Sequence, residues 1–493
     1  MRQQATGNRQ NGTMRGWFWL LICAAASFCF ILGSTAAAPV ADPFADEWIS
    51  YNPGPDWSGT QFSDPTLAIG APVGLYLAEP DNSSLVTLGN GGNLTVKFSS
   101  PVVDDPRNPY GLDFIVFGNA QVNETMFGFI RWQELAFVEI SQDGLNWYLI
   151  KPSILPADLR VCHGTPPNPD PRNYEVGKSY TAVSGYAEYT PTMGLPQNLK
   201  FSPFPGVIRS DEELYTVPDR TSRIRTLGYG NPVKFDFVSG GGDGFDIADA
   251  VVEVTGSPGV PLMVDGHTVP AGISSFSYVK ITDAHPDDTW PQLFEVAADI
   301  DAVARTRPAQ SIGEVKAATA GDYGLITEAI VTAVFPNEFF IEAPDRSAAM
   351  RVAWNSEFLV NDERAVAIGD RITVTGHLSR PSGRFCFADP MLAFTATGLP
   401  LPQPLAVPVQ SLSSNMLYGM RVRVWGRVTD AGDGNAFVIS DGDESIRVVS
   451  EQYKEPIASN TRVLVTGICD REEGTGATIL RVIDPEVDIR SYP

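Results

Sequence analysis

The chain has 493 residues, and at roughly 150 residues per domain it should divide into about three. A hydrophobic content of 43%, with 26 Phe, 15 Tyr and 9 Trp, supplies packed cores and excludes global disorder. The formal net charge of −23 reads against a nucleic-acid partner, because phosphate binding draws on Lys and Arg releasing counterions, and it suits solubility and cation capture instead.

The first elements form a targeting segment. Arg2, Arg9 and Arg15 make a basic leader, Trp17 to Gly33 is an apolar run without charge, and the small residues Ser34 to Ala38 offer an Ala-x-Ala-like cleavage context. The run falls short of the ~20 residues that a spanning helix prefers. Residues 1–38 therefore read as a cleaved signal peptide, which predicts an extracellular or cell-surface protein with no membrane insertion after cleavage. Cys162, Cys386 and Cys469 remain in the mature chain without metal-ligand spacing, and Cys386 can meet Cys469 only if their domains pack together.

Strand-like runs then dominate: Asn93 to Phe98, Asp113 to Phe117, Leu135 to Ile140, Val233 to Val238 and Tyr278 to Ile281. Each is rich in Val, Ile, Phe or Tyr and bounded by Gly, Pro, Asn or Asp. Ser141 to Gly144 reads as a hairpin turn leading into Trp147. No helical pattern of similar strength occurs, so the expected class is all-β. Residues 151–239 loosen into a Pro-, Tyr- and Asn-rich stretch, read as a loop insertion covering one end of a sandwich.

Beyond Arg305 to Gly313 the composition shifts, and an internal repeat begins. Ile341-Glu342, Asp345 to Val352 and Asp370 to Gly376 are echoed by Ile439 to Val448 and Arg462 to Gly467, as duplicated domains would be. The Pro-rich bridge Leu399 to Val407 separates the copies. The expected domains are residues 39–307, 308–397 and 408–493.

The ordered set Asp64 to Gly70, Val86 to Phe98, Asp113 to Asn119, Glu134 to Gly144, Gly241 to Ala250, Tyr278 to Asp283 and Asp299 to Ala304 resembles the galactose-binding-like, discoidin-type β-sandwich. It is similar above all to bacterial cell-surface proteins carrying such a module. The resemblance implies an N-terminal jelly roll and an extracellular binding role. The two repeats, with the centre Val424 to Val428 and the VTG strands, resemble OB-type barrels of secreted bacterial proteins. OB folds often bind oligonucleotides or oligosaccharides. From Ser311 onward, however, 16 Lys or Arg face 24 Asp or Glu, so spacer or protein-contact modules are expected.

The strongest chemical motif is Gly240 to Asp249, in which Asp243, Asp246 and Asp249 recur every third residue on a glycine-rich loop. Hard carboxylate oxygens in that setting suit Ca²⁺. The sandwich reading adds Asp64, Asp113 and Asp301 as further candidate ligands; the competing reading is that Asp246 or Asp249 caps a turn. Gly241 to Ile247 matches one calcium-roll repeat, which a lone copy cannot build into a roll. Asp104-Asp105 reads as exposed loop charge. Tyr186, Tyr189 and Trp290 are candidate sugar-stacking residues, whereas Trp132 and Trp147 are assigned to the core. No catalytic residue is assigned: four His without paired spacing and no GxSxG elbow offer no nucleophile or zinc motif. The expected function is a non-catalytic, calcium-stabilised protein recognising carbohydrate or another surface ligand, with a structural envelope component or a secreted hydrolase as alternatives.

Overall fold

Period-two alternation builds the first domain. In the strand Asn93–Val103, Leu94, Val96 and Phe98 are buried while Lys97 is only half-covered and Ser99 is exposed, so one pleat face meets a core. This computed structural model describes residues 42–55, 61–73, 85–118, 121–125, 128–132, 135–150, 186–187, 192, 215–218, 240–257, 259–283, 297–353, 365–381, 384–432, 435–452 and 455–492. The expected signal peptide and the strand expected at Val233 to Val238 lie outside them. Among the described residues no helix is long and apolar enough to cross a membrane.

Two sheets stack face to face. The larger runs in the order Glu47–Asn52, Asn93–Val103, Ser275–Asp283, Leu135–Ser141, Tyr148–Ile150, Val251–Val252, with Tyr186–Ala187 also paired to Leu135–Ser141. The smaller runs Asp243–Phe245, Phe114–Gly118, Asp299–Arg305, Val86–Thr87. Leu94, Val96, Val138, Ile140, Val279 and Ile281 of the larger sheet meet Phe114, Val116, Phe245, Ile300 and Val303 of the smaller in one core. Phe114 stacks on Phe245 at 5.0 Å and meets Phe276 edge-on at 4.9 Å.

The strand Phe114–Gly118 is buried on both faces. Ile115 and Phe117 point away from the core into a second cluster with Phe44, Tyr215, Ala302 and Ala304. Tyr215 belongs to the 151–239 insertion, as does Thr192, whose hydroxyl donates to the Gly118 carbonyl at 2.7 Å. Tyr215 of the insertion thus packs on the outer face of the smaller sheet, while Tyr186–Ala187 of the same insertion pairs with the larger. Trp147 is half-buried on the surface of the larger sheet, with Lys280 Nζ 4.5 Å from its ring centroid, and is not a core residue. Such a contact between a cation and a ring face near the surface is worth about 0.5–1 kcal/mol. Of Trp132 only the backbone, in the strand Gly128–Trp132, is described.

The repeat is structural. Tyr323–Phe335, Glu338–Glu342, Ala349–Ala353, Cys386–Ala396 and Arg371–Ser379 close into a barrel. Arg421–Asp430, Ala436–Ser440, Ser445–Ser450, Thr478–Val482 and Arg462–Arg471 close in the same order, with the same parallel pair between the third strand and the fifth. This is the five-stranded OB-like arrangement, made twice. The protein is an all-β sandwich followed by two OB-like barrels. A short helix, Ile312–Ala317, leads into the first barrel, and its Ile312 and Val315 enter that barrel's core. Ser311 and Glu314 form a reciprocal capping box at its start. Cys386 and Cys469 are both buried and free, and the Cys469 thiol donates to the Leu412 carbonyl at 3.3 Å.

Candidate functional site

Three carboxylates gather where the two layers end. Asp104 follows the strand Asn93–Val103, Asp113 directly precedes Phe114–Gly118, and Asp246 follows Asp243–Phe245. Each offers an oxygen within 4.8 Å of the other two. Backbone pairing sets this convergence: the Asp104 N–H donates to the Ser274 carbonyl (2.9 Å) and the Asp113 N–H to the Phe245 carbonyl (2.7 Å). One carboxylate therefore rides on the larger sheet and two on the smaller.

Asp113 is the anchor. Its Oδ1 accepts from Asn108 Nδ2 at 2.7 Å and from the Asp105 N–H at 3.2 Å; its Oδ2 accepts from the Ile247 N–H at 2.8 Å. Burial raises its pKa to about 6 against the pull of those donors. Asp246 caps the 3-10 turn Ile247–Asp249, its Oδ1 accepting from the Ala248 N–H at 2.8 Å. Its pKa is also raised, first by burial and then by the negative charges of Asp249 and Asp104. The turn-capping reading of Asp246 and its place in a carboxylate cluster are both satisfied. Gly111, at φ +76°, leaves room for this geometry, since a Cβ there would stand 3.4 Å from Asp246 Oδ2.

The other expected ligands stand outside this group. Asp243 is buried within a strand opposite Val116, because period two turns it away from the residue three places on. Asp249 is exposed at the end of the turn. Asp64 caps the turn Pro65–Ala68, its Oδ1 accepting from the Thr66 N–H (3.0 Å) and hydroxyl (2.6 Å), which lowers its pKa. Asp301 is buried elsewhere in the smaller sheet, its Oδ1 accepting from the Val73 N–H at 3.0 Å. Asp104, read from sequence as mere loop charge, replaces these four. Its exposure matches that reading, and only the pairing of distant strands reveals its neighbours. Of the expected sugar platform, Tyr186 is described in its backbone alone, while Tyr189 and Trp290 lie outside the described residues.

The glycines of this loop carry a stability prediction. Gly242 sits at φ +74°, and a Cβ there would come within 2.6 Å of Phe117 Cδ1 and 2.7 Å of Ile115 Cγ2. Gly242→Ala should therefore cost about 2–3 kcal/mol, from left-handed strain plus overpacking. Urea unfolding checks it, and a variant as stable as the parent would mean that the loop shifts freely.

Three carboxylates sharing one small volume can bind a proton or a hard cation. Oxygens on opposite sides of Ca²⁺, each at roughly 2.3–2.6 Å, stand about 5 Å apart, and the Ca²⁺ shell of about 6–8 oxygens accepts carbonyls and waters beside carboxylates. The 4.8 Å cluster fits that span.

No protein-family model matches the chain, and no curated protein matches it. Among solved structures it is similar to the Ifi202 HINa domain in complex with 20-bp dsDNA, at 16% identity and a TM-score of 0.21, over 34% of this chain and 95% of that one. It is also similar to the tetrameric p202 HIN2, at 10% identity and a TM-score of 0.21, over 36% of this chain and 98% of that one. The first of these structures is a dsDNA complex, a property of that structure and not of this chain, and the expectation that nucleic acid is excluded as a partner is corrected. The physical reason is that net charge is a whole-chain sum, whereas binding depends on how charge is distributed over one face. The exclusion is withdrawn.

Proposed function

We propose that this chain is an exported, non-catalytic binding protein whose sandwich is locked by a calcium ion held between Asp104, Asp113 and Asp246. The observation that carries the reading is the convergence of three carboxylates, one from the larger sheet and two from the smaller, within 4.8 Å. A divalent cation there would offset the burial that, together with the charges of Asp249 and Asp104, raises the pKa of Asp246. It would also tie the two layers together at the end where the Asn108–Asp113 loop approaches the first barrel, Tyr110 Oη lying 3.4 Å from Thr373 Oγ1. The apolar signal segment supplies the support for export.

Thermal unfolding with calcium and with chelator tests the site. At calcium about a hundredfold above its Kd, stabilisation of about 2.7 kcal/mol is expected. Asp246→Asn should abolish the response while the side-chain oxygen still caps Ala248, so the variant stays folded. Equal melting temperatures in calcium and chelator for the parent protein would end the proposal.

A further inference from the structure

The two barrels enclose a cleft of about 370 Å³ with a charge balance opposite to that of the chain. Lys316, Arg380, Arg384 and Arg471 line it, and among the described residues no carboxylate does. In a protein of net charge −23, four cations around one concavity without a lining acid is a built feature.

For Lys316, Arg380 and Arg471 the partners explain why the charge is available, whereas Arg384 is already ion-paired. Lys316 Nζ donates to the carbonyl of Tyr418 at 2.9 Å and to that of Met416 at 3.5 Å, both neutral groups. Arg471 Nη2 donates to Asn415 Oδ1 at 2.8 Å and to the Ser413 carbonyl at 3.2 Å, again neutral. The Arg380 guanidinium lies 5.0 Å from the ring centroid of Phe385. Arg384 spends Nη2 on Glu338 and Asp470, but its buried Nε has no hydrogen-bond partner among the described residues. Burial lowers the pKa of Lys316 to about 8, the direction expected of an ammonium desolvated without a nearby anion. Phe385, Tyr418 and Met416 supply apolar wall beside these heads.

A carboxylate would occupy one guanidinium fork. A phosphate monoester, with three terminal oxygens and close to two charges, can be shared among several cations, and its organic body can rest on the apolar wall. We propose that this cleft binds a phosphate monoester carried on a small apolar or aromatic body. This site is independent of the calcium reading, being formed by the barrels and not by the sandwich.

Calorimetric titration of the full chain with phenyl phosphate, inorganic phosphate and phenol, without added calcium, tests it. Phenyl phosphate should bind at one site, about tenfold more tightly than inorganic phosphate, and phenol should not bind. Lys316→Met and Arg380→Ala should each weaken phenyl phosphate about tenfold or more, with Lys316→Arg restoring it. Arg447→Ala, in the neighbouring cleft and paired with Glu472, should bind as the parent does. Arg380 is exposed, so its variant keeps the test decisive should Lys316→Met fail to fold. Undiminished binding in Arg380→Ala and Lys316→Met, or no binding to the parent at millimolar phenyl phosphate, overturns the proposal. Equal affinity for phenyl and inorganic phosphate overturns its organic body.

Discussion

Replacing Glu338 by alanine is expected to destabilise the paired barrels by about 3–5 kcal/mol, the range for removing one member of a buried ionic network. Glu338 lies on the first barrel, where its carboxylate pairs with Arg351 and Arg384, and it also pairs with Arg481 of the second. Asp470 of the second barrel answers with Arg384 at 2.5 Å and Arg481 at 3.1 Å. The network therefore crosses the interface in both directions. Burial alone would raise the pKa of Glu338, but the guanidiniums of Arg351, Arg384 and Arg481 together outweigh it and hold the carboxyl down to about 2. Without it, Arg384 and Arg481 share Asp470, Arg351 loses its carboxylate partner, and Arg481 keeps its contact with the Phe335 ring, 3.6 Å from the centroid, without its main counter-ion.

The pH behaviour follows from that depression. The unfolded carboxyl titrates near 4.5, so the stabilisation is fully present above that pH and disappears as pH falls through about 2. Urea unfolding at neutral pH should show the loss in Glu338→Ala and most of it in Glu338→Gln, which keeps the shape and loses the charge. A cost below about 1 kcal/mol in both would place the network with solvent-screened surface pairs instead. Added salt should recover little, because screening acts weakly on buried pairs.

Local pattern carried most of the architecture. The run from Leu94 to Phe98 alternates because a half-buried strand must, and the echo of Asp370 to Gly376 in Arg462 to Gly467 survives because both copies bend the same barrel strand. The helix Ile312–Ala317 is too short, at six residues, to display a period, and its one sequence signal is the Ser311-x-x-Glu314 capping signature. The carboxylate cluster was legible only in part. Regular spacing drew Asp243, Asp246 and Asp249 together on paper, yet a strand turns Asp243 one way and a 3-10 turn leaves Asp249 in solvent. Asp104 reaches Asp113 and Asp246 through the pairing of sheets far apart in sequence, which no local rule encodes. The same holds for Glu338 and Arg481, whose meeting depends on how two closed barrels face each other.

Replacing Asp301 by asparagine should stabilise the protein above neutral pH while changing little near pH 4. Asp301 is 1% exposed; its Oδ1 is satisfied by the Val73 N–H, and its Oδ2 has no hydrogen-bond partner among the described residues. Burial raises its pKa to about 7, only partly opposed by that one donor. Between the unfolded value of 3.8 and the folded value, the native state holds a proton that the unfolded chain has released. Stability from this group is thus complete below about pH 4 and drains away as pH rises through 7. The shift corresponds to a maximum of roughly 4 kcal/mol at 1.36 kcal/mol per unit. Asparagine keeps an oxygen for Val73 and cannot ionise, so its advantage over the parent should grow from near zero at pH 4 to several kcal/mol at pH 8. Glu342, raised to about 7 by burial in the first barrel, titrates in the same window, so the variant should retain a residual slope. Urea unfolding of both proteins in chelator, from pH 4 to 8, separates these contributions. Parallel stability profiles would show that Asp301 ionises in place at no cost, and that water or a cation reaches Oδ2.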